Sequence, residues 1–361
     1  MAKTPIERGD RNDQLDGLRG YAALAVVFWH AMLSADPTGH TRIRVTPLSQ
    51  LSSLPDIGAK LALTILNGQT AVILFFVLSG AVLINSLQRE QGSAFDIAWR
   101  FTVRRFFRIY PALFLAVVLI APIFAIWGHI SMRDVVHNLV LYNWNVVGPS
   151  WTLNVEFFAI LLILPAFFAY RRFGELGMIA VIVLIGVGIN TPLFKDSLPT
   201  AKPFIFAFAA GMPIPTRIGS LAATRMPVAI WPVALIVAMF ARNAVPIGLR
   251  TFLITEAVAS GIVVLLLYYR RAGIFGRFLE RPSSIFLGRI SFSLYLLNVP
   301  FLLPFEMMAP VPYPILTGLG YAALICIVVV PLSSLSFEYV EKPGIAIGRT
   351  LTTSKTEPAS T

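Results

Sequence analysis

The stretch Leu15 to His30, LDGLRGYAALAVVFWH, carries Asp16, Arg19 and His30 into an apolar run. An α-helix turns about 100° and rises about 1.5 Å per residue. Arg19 and His30 are then separated by roughly three full turns plus 20°, so both leave the same face, with the imidazole about 16 Å further along. Asp16 falls within about 60° of that face. In a hydrocarbon core ~30 Å thick the ring would lie near the middle, where it must face protein or water. A group that titrates near neutral pH can take a proton from a hydroxyl, which makes His30 a candidate general base. A packing histidine bonded to a neighbouring helix would look the same in sequence.

Three further clusters could serve such a base. In PSWTLNVEFF, Pro149 to Phe158, Glu156 would lie within about one helical turn of His30 in depth. A carboxylate there could fix the imidazole tautomer and stabilise the imidazolium, or could pair with an arginine. Trp151 fits the outer membrane interface, and Asn154 adds a polar group in the same turn. In RRFFRIYP, Arg104, Arg105 and Arg108 can face a common point and hold a phosphorylated ligand, or simply set orientation. In FFVLSG, Ser79 and Gly80 interrupt an apolar run, as a substrate contact or as a close helix crossing. Asp16 is expected to cap the first helix and orient Arg19. His40, His129 and His137 read as solvated.

The elements that position these groups follow from composition. The chain has 361 residues, 57% hydrophobic and 13% charged, with 27 phenylalanines. Soluble domains carry about twice that charge, so the expected class is an all-α, polytopic membrane protein. Ten spans are expected, at 18–36, 62–88, 106–127, 150–170, 176–191, 203–217, 226–241, 250–269, 284–307 and 313–337. Val135–Trp144 is too short to span and reads as interfacial or re-entrant. Residues 1–343 form one integral-membrane domain, and 344–361 a polar, disordered tail. The net charge of +11 is spread over the gaps between apolar runs rather than gathered in a patch, which argues against nucleic acid. Most Lys and Arg fall on the side of the N-terminus, so both ends are expected in the cytoplasm. The single cysteine, Cys326, excludes an intrachain disulfide and a cysteine-built metal site.

Taken together and in order, LDGLRGYAALAVVFWH, FFVLSG, RRFFRIYP, SWTLNVEFF, LGRISFSLYLLNVP and FEYVEKP resemble the signatures of the acyltransferase-3 family. The resemblance covers about residues 15 to 343. It implies a bacterial cytoplasmic-membrane enzyme of about ten helices that moves an acyl group, usually acetyl, from cytoplasmic acyl-CoA to an extracytoplasmic carbohydrate or glycolipid hydroxyl. The family's arginine and histidine fall on Arg19 and His30, with the histidine as the essential catalytic group, either as general base or as brief carrier of the acyl group. Trp151 could stack on a sugar ring or anchor the membrane interface. Acyl-CoA is a substrate here, and no bound cofactor or metal is implied. Two departures concern the acceptor pocket: Ile73 stands where an acid is common, and Asn298–Val299 where the family often has His-Trp. A transporter or flippase would also need polar groups at this depth, but the inverted repeats common in such proteins are absent from the sequence.

Overall fold

The computed structural model describes residues 12–126, 130–189, 191, 204–244, 249–308 and 310–353. Among these the fold is helical, with no strand. The helices are α1 (Asp13–Ala35), α2 (Pro37–Val45), α3 (Leu54–Ile65), α4 (Gly68–Leu87), α5 (Ala94–Ile126) and α6 (Met132–Leu139). They continue with α7 (Trp151–Phe158), α8 (Ile160–Gly188), α9 (Ile205–Gly211), α10 (Arg217–Arg225), α11 (Ile230–Ala244) and α12 (Leu249–Tyr268). The last are α13 (Gly273–Leu279), α14 (Pro282–Leu297), α15 (Leu303–Glu306), α16 (Pro314–Ser336) and α17 (Lys342–Thr352).

Among the described residues five stretches are long and apolar enough to cross a bilayer: Asp13–Ala35, Leu54–Leu87, Ala94–Ala125, Gly148–Gly188 and Pro314–Thr352. Three bent pairs raise the number to as many as eight: α10 with α11 (109°), α12 with α13 (77°), and α14 with the segment Val299–Glu306 (61°). This is the architecture of a multi-pass membrane protein, with fewer uninterrupted spans than the ten expected. The span expected at 203–217 is only the short α9 followed by turns, and the one expected at 284–307 is broken at Asn298. Gly148–Gly188 contains its own reversal. Residues eight apart on a straight helix are about 12 Å apart. A Cβ on Gly177 would nevertheless sit 2.5 Å from the Ala169 carbonyl oxygen, because Gly174, at φ +66°, folds the chain back.

The tail also differs from expectation. From Gly344 the chain continues as helix α17 to Thr352, and its glycines fit it against α5. Cβ atoms on Gly344 and Gly348 would lie 2.7 Å from Pro111 Cγ and 2.8 Å from Phe107 Cβ. Residues 354–361 lie outside the described part.

Helix α1 is the hub: its main packing partners are α14, α16 and α4. Its N-cap is Asn12, whose Oδ1 accepts from the Gln14 and Leu15 amides while Nδ2 donates to the Leu267 and Tyr268 carbonyls. The cap expected of Asp16 therefore belongs to Asn12; Asp16 is buried in the first turn, where a negative charge suits the helix dipole. The short helices α2 and α3, with Lys60 donating to the Ile43 and Arg44 carbonyls, pack against the C-terminal end of α1. His40, expected in solvent, is 2% exposed there, its Nδ1 2.5 Å from the Met32 carbonyl oxygen.

Candidate active site

Two glycines bring the base its partner. A Cβ on Gly20 would stand 2.6 Å from Leu287 Cβ, and one on Gly288 2.1 Å from the Asp16 carbonyl oxygen. The backbones of α1 and α14 therefore touch, and this approach lays the end of α14 beside His30. Asn298, fully buried, follows the last residue of that helix. Its Nδ2 donates to the carbonyls of Leu294 (3.2 Å) and Tyr295 (2.7 Å). That fixes the amide orientation, so the atom 3.2 Å from His30 Nδ1 is the oxygen, Oδ1. An amide oxygen only accepts, so Nδ1 carries a proton and, in the neutral ring, Nε2 is the nitrogen with the lone pair.

His30 lines a cavity of about 450 Å³. Trp29, Trp151, Tyr295, Val72 and Phe204 supply its apolar and aromatic surface; Ser34, Thr41, Gln69 and Glu306 supply the polar groups. A second cavity of about 40 Å³ is lined by Arg19, Ser79, Glu156, Thr152, Ser291 and a ring of phenylalanines. Val72 and Tyr295 line both cavities and are the wall between them. Tyr295, 7% exposed, is held there by donating its hydroxyl to the Pro149 carbonyl at 3.3 Å.

The profile of the acyltransferase-3 family, an acyltransferase domain, matches residues 12–338 and so includes every wall of both cavities. The chain belongs to the acyltransferase-3 family. Family membership makes it an acyl-transferring enzyme. No curated protein and no solved structure matches the chain.

Within this acyltransferase fold the expected site residues divide. Glu156, expected beside His30, instead accepts from Arg105 Nη2 at 2.9 Å, with Arg105 itself 6% exposed. The imidazole's partner is Asn298, so the tautomer is set by a neutral amide and not by that carboxylate. Arg104, expected to hold a ligand, pairs with Glu90 and donates to Thr352 Oγ1 at 2.8 Å, and Arg100 shares the same Glu90. Arg108 is exposed, one turn along α5 from the buried Arg105. Asn154 lines neither cavity; its Nδ2 donates to the carbonyl of Leu141, a residue at φ +58°. Ser79 lines the smaller cavity, while its neighbour Gly80 serves packing: a Cβ there would stand 2.3 Å from the Phe208 carbonyl oxygen. Trp151 lines the larger cavity, its ring 4.9 Å from that of Phe204.

Three groups escaped the sequence reading. Glu306 accepts from Ser34 Oγ at 2.9 Å in the larger cavity. Tyr295 forms the wall. Glu341, 5% exposed and bonded to Ser293, lies in a π-helical turn (Phe337–Glu341) within electrostatic range of Arg19 and Arg108. Each had a signal: Glu306 is an acid inside an expected span, Glu341 an acid of FEYVEKP, and Tyr295 part of LYLLNVP. His129 lies outside the described residues. His137 is half-buried, its ring 4.9 Å from that of Tyr142.

Proposed function

We propose that this protein is an O-acyltransferase of the bacterial cytoplasmic membrane, with both termini cytoplasmic. It moves an acyl group, acetyl first among them, from acyl-CoA to a hydroxyl of an extracytoplasmic carbohydrate or glycolipid. The observation that carries this reading is the setting of His30: its Nδ1 is held by a fixed amide oxygen, and the residue lines a cavity large enough for a ligand, in the range of about 300–1,000 Å³ typical of small-molecule sites.

The steps balance without further reagents. The acceptor hydroxyl gives its proton to His30 Nε2 as its oxygen bonds to the thioester carbonyl carbon. The carbon–sulfur bond then breaks, and the CoA thiolate takes the proton back from the imidazolium. The Asn298 oxygen, accepting from Nδ1 throughout, keeps the ring oriented as its charge rises and falls. Arg19, at the smaller cavity, and the exposed Arg108 suit the phosphates of CoA, for which guanidinium geometry is apt. Arg105 and Glu156 neutralise one another and position that end of the path. The thioester would pass from the Arg19 side to the His30 side at Tyr295 and Val72.

The test is His30→Ala, with membrane expression confirmed, in vesicles supplied with isotope-labelled acetyl-CoA. Label should enter glycans with the native protein and stop with the variant. Equal labelling by both removes the enzyme reading.

A further inference from the structure

Resting on that reading, we infer that Glu306 selects the acceptor: the His30 cavity takes an uncharged glycosyl residue and rejects one bearing a carboxylate or phosphate beside the reacting hydroxyl. Among the described residues the cavity lining contains no lysine or arginine. The one carboxylate among its described lining residues is Glu306, on the short helix that follows the break at Asn298. Ser34, one turn beyond His30 on α1, donates to Oε1 of Glu306 at 2.9 Å, which ties the carboxylate to the same helix that carries the base. Among the described residues no Lys or Arg forms an ion pair with Glu306, and Oε2 has no hydrogen-bond partner.

An ionised carboxylate accepts and does not donate. What it can recognise is a hydroxyl pair or an N–H, both supplied by neutral sugars. Gln69 and Thr41 add groups that can donate or accept, and the Trp29 and Trp151 rings offer apolar faces for the C–H side of a pyranose. An anionic sugar would meet Glu306 with no cation among the described lining residues to offset it. Two cations that share the Trp29 wall are engaged elsewhere. Lys60 is held by two backbone carbonyls, and the Arg44 guanidinium lies over the Trp29 ring, 5.7 Å from its centroid. Both line a separate crevice of about 10 Å³. The selectivity thus comes from a repulsive element built into the lining of the site, an exposed carboxylate tied to the helix that carries the base.

The experiment uses the full-length protein in proteoliposomes with acetyl-CoA and matched acceptors: methyl glucoside, methyl glucuronide and methyl glucoside 6-phosphate. Expected is a preference of ~10-fold or more in kcat/KM for the neutral glycoside. Glu306→Gln, which keeps a hydrogen-bonding group and removes the charge, should compress that ratio ~10-fold, mainly by lowering KM for the anions. Transfer with equal rates to neutral and anionic acceptors, or a ratio unchanged in Glu306→Gln, overturns the inference while leaving the acyltransferase standing. Binding of the same glycosides, followed by quenching of tryptophan fluorescence, gives a second measurement independent of turnover. Equal affinities there overturn the inference as well, whereas discrimination in binding with no acyl transfer to any acceptor defeats the parent reading instead.

Discussion

The two cavities on either side of Tyr295 treat polarity in opposite ways. Around the smaller one, charge is matched with charge: Arg105 with Glu156, and Glu341 within range of Arg19 and Arg108. Around His30 the base is held by a neutral amide, and the carboxylate of Glu306 by a serine hydroxyl. Buried ions must be paired, because removing one partner strands the other in low dielectric. A base needs the reverse: a partner that orients it without already committing its charge. The comparison teaches that the Arg19 side is built to keep fixed charges in place, and the His30 side to let one charge appear and vanish.

That contrast can be broken at either end. The largest effect is expected at His30 itself: His30→Ala should lower kcat by about 10²–10⁴, the usual contribution of a positioned acid–base group, with the protein still inserted. On the other side, Arg105→Met leaves the half-buried Glu156 without its partner and should destabilise the fold, by at most about 3–5 kcal/mol, the cost of breaking a fully buried pair. Thermal denaturation in detergent would register it, and Arg105→Met with Glu156→Leu should recover most of the loss. A full-strength single variant would show that this pair is not a buried ion pair in the working protein.

Asn298→Ala should cost about 10–100-fold, as the loss of a residue that orients a ligand or base commonly does. The fall should appear in kcat, with KM for acetyl-CoA unchanged; a change confined to KM would move Asn298 from positioning to binding. Gly20→Ala sharpens the same point through the backbone. Its methyl group would require α1 and α14 to part, costing about 1–3 kcal/mol of overpacking and weakening the His30–Asn298 bond with it. The smallest effect lies in the loop before α7. Hydrogen bonds from Ser131 and Asn145 hold the Asp134 carboxyl down to about 2, against 3.8 for an unperturbed aspartate. A depressed carboxylate contributes stability above the ordinary value and loses it as pH falls toward 2, so this loop should be unchanged from pH 7 to 5 and open below. Limited proteolysis between residues 131 and 147 would follow it, and Asp134→Asn should remove the pH dependence.

Much of the helical character was legible because hydropathy acts over single segments. The spacing that sets Arg19 and His30 on one face is a property of one helix, and the structure places both in a single α1. Continuity of the spans was harder to read. Nothing in hydropathy distinguishes a straight rod from the fold-back at Gly174 or the 61° break after α14. His40 shows a similar limit, since its polar surroundings in sequence conceal that α2 tucks it against the end of α1.

What the sequence determined by itself is an apolar, multi-helical chain with a histidine and an arginine on one helical face and a motif order belonging to one family. Partner choice was decided only by the tertiary structure. Asn298 is 268 positions from His30, and Glu156 is 51 from Arg105. Which buried polar group meets which depends on how closely the backbones of distant helices can approach. At α1 and α14 that distance is set by Gly20 and Gly288, whose missing side chains carry no hydropathy signal at all.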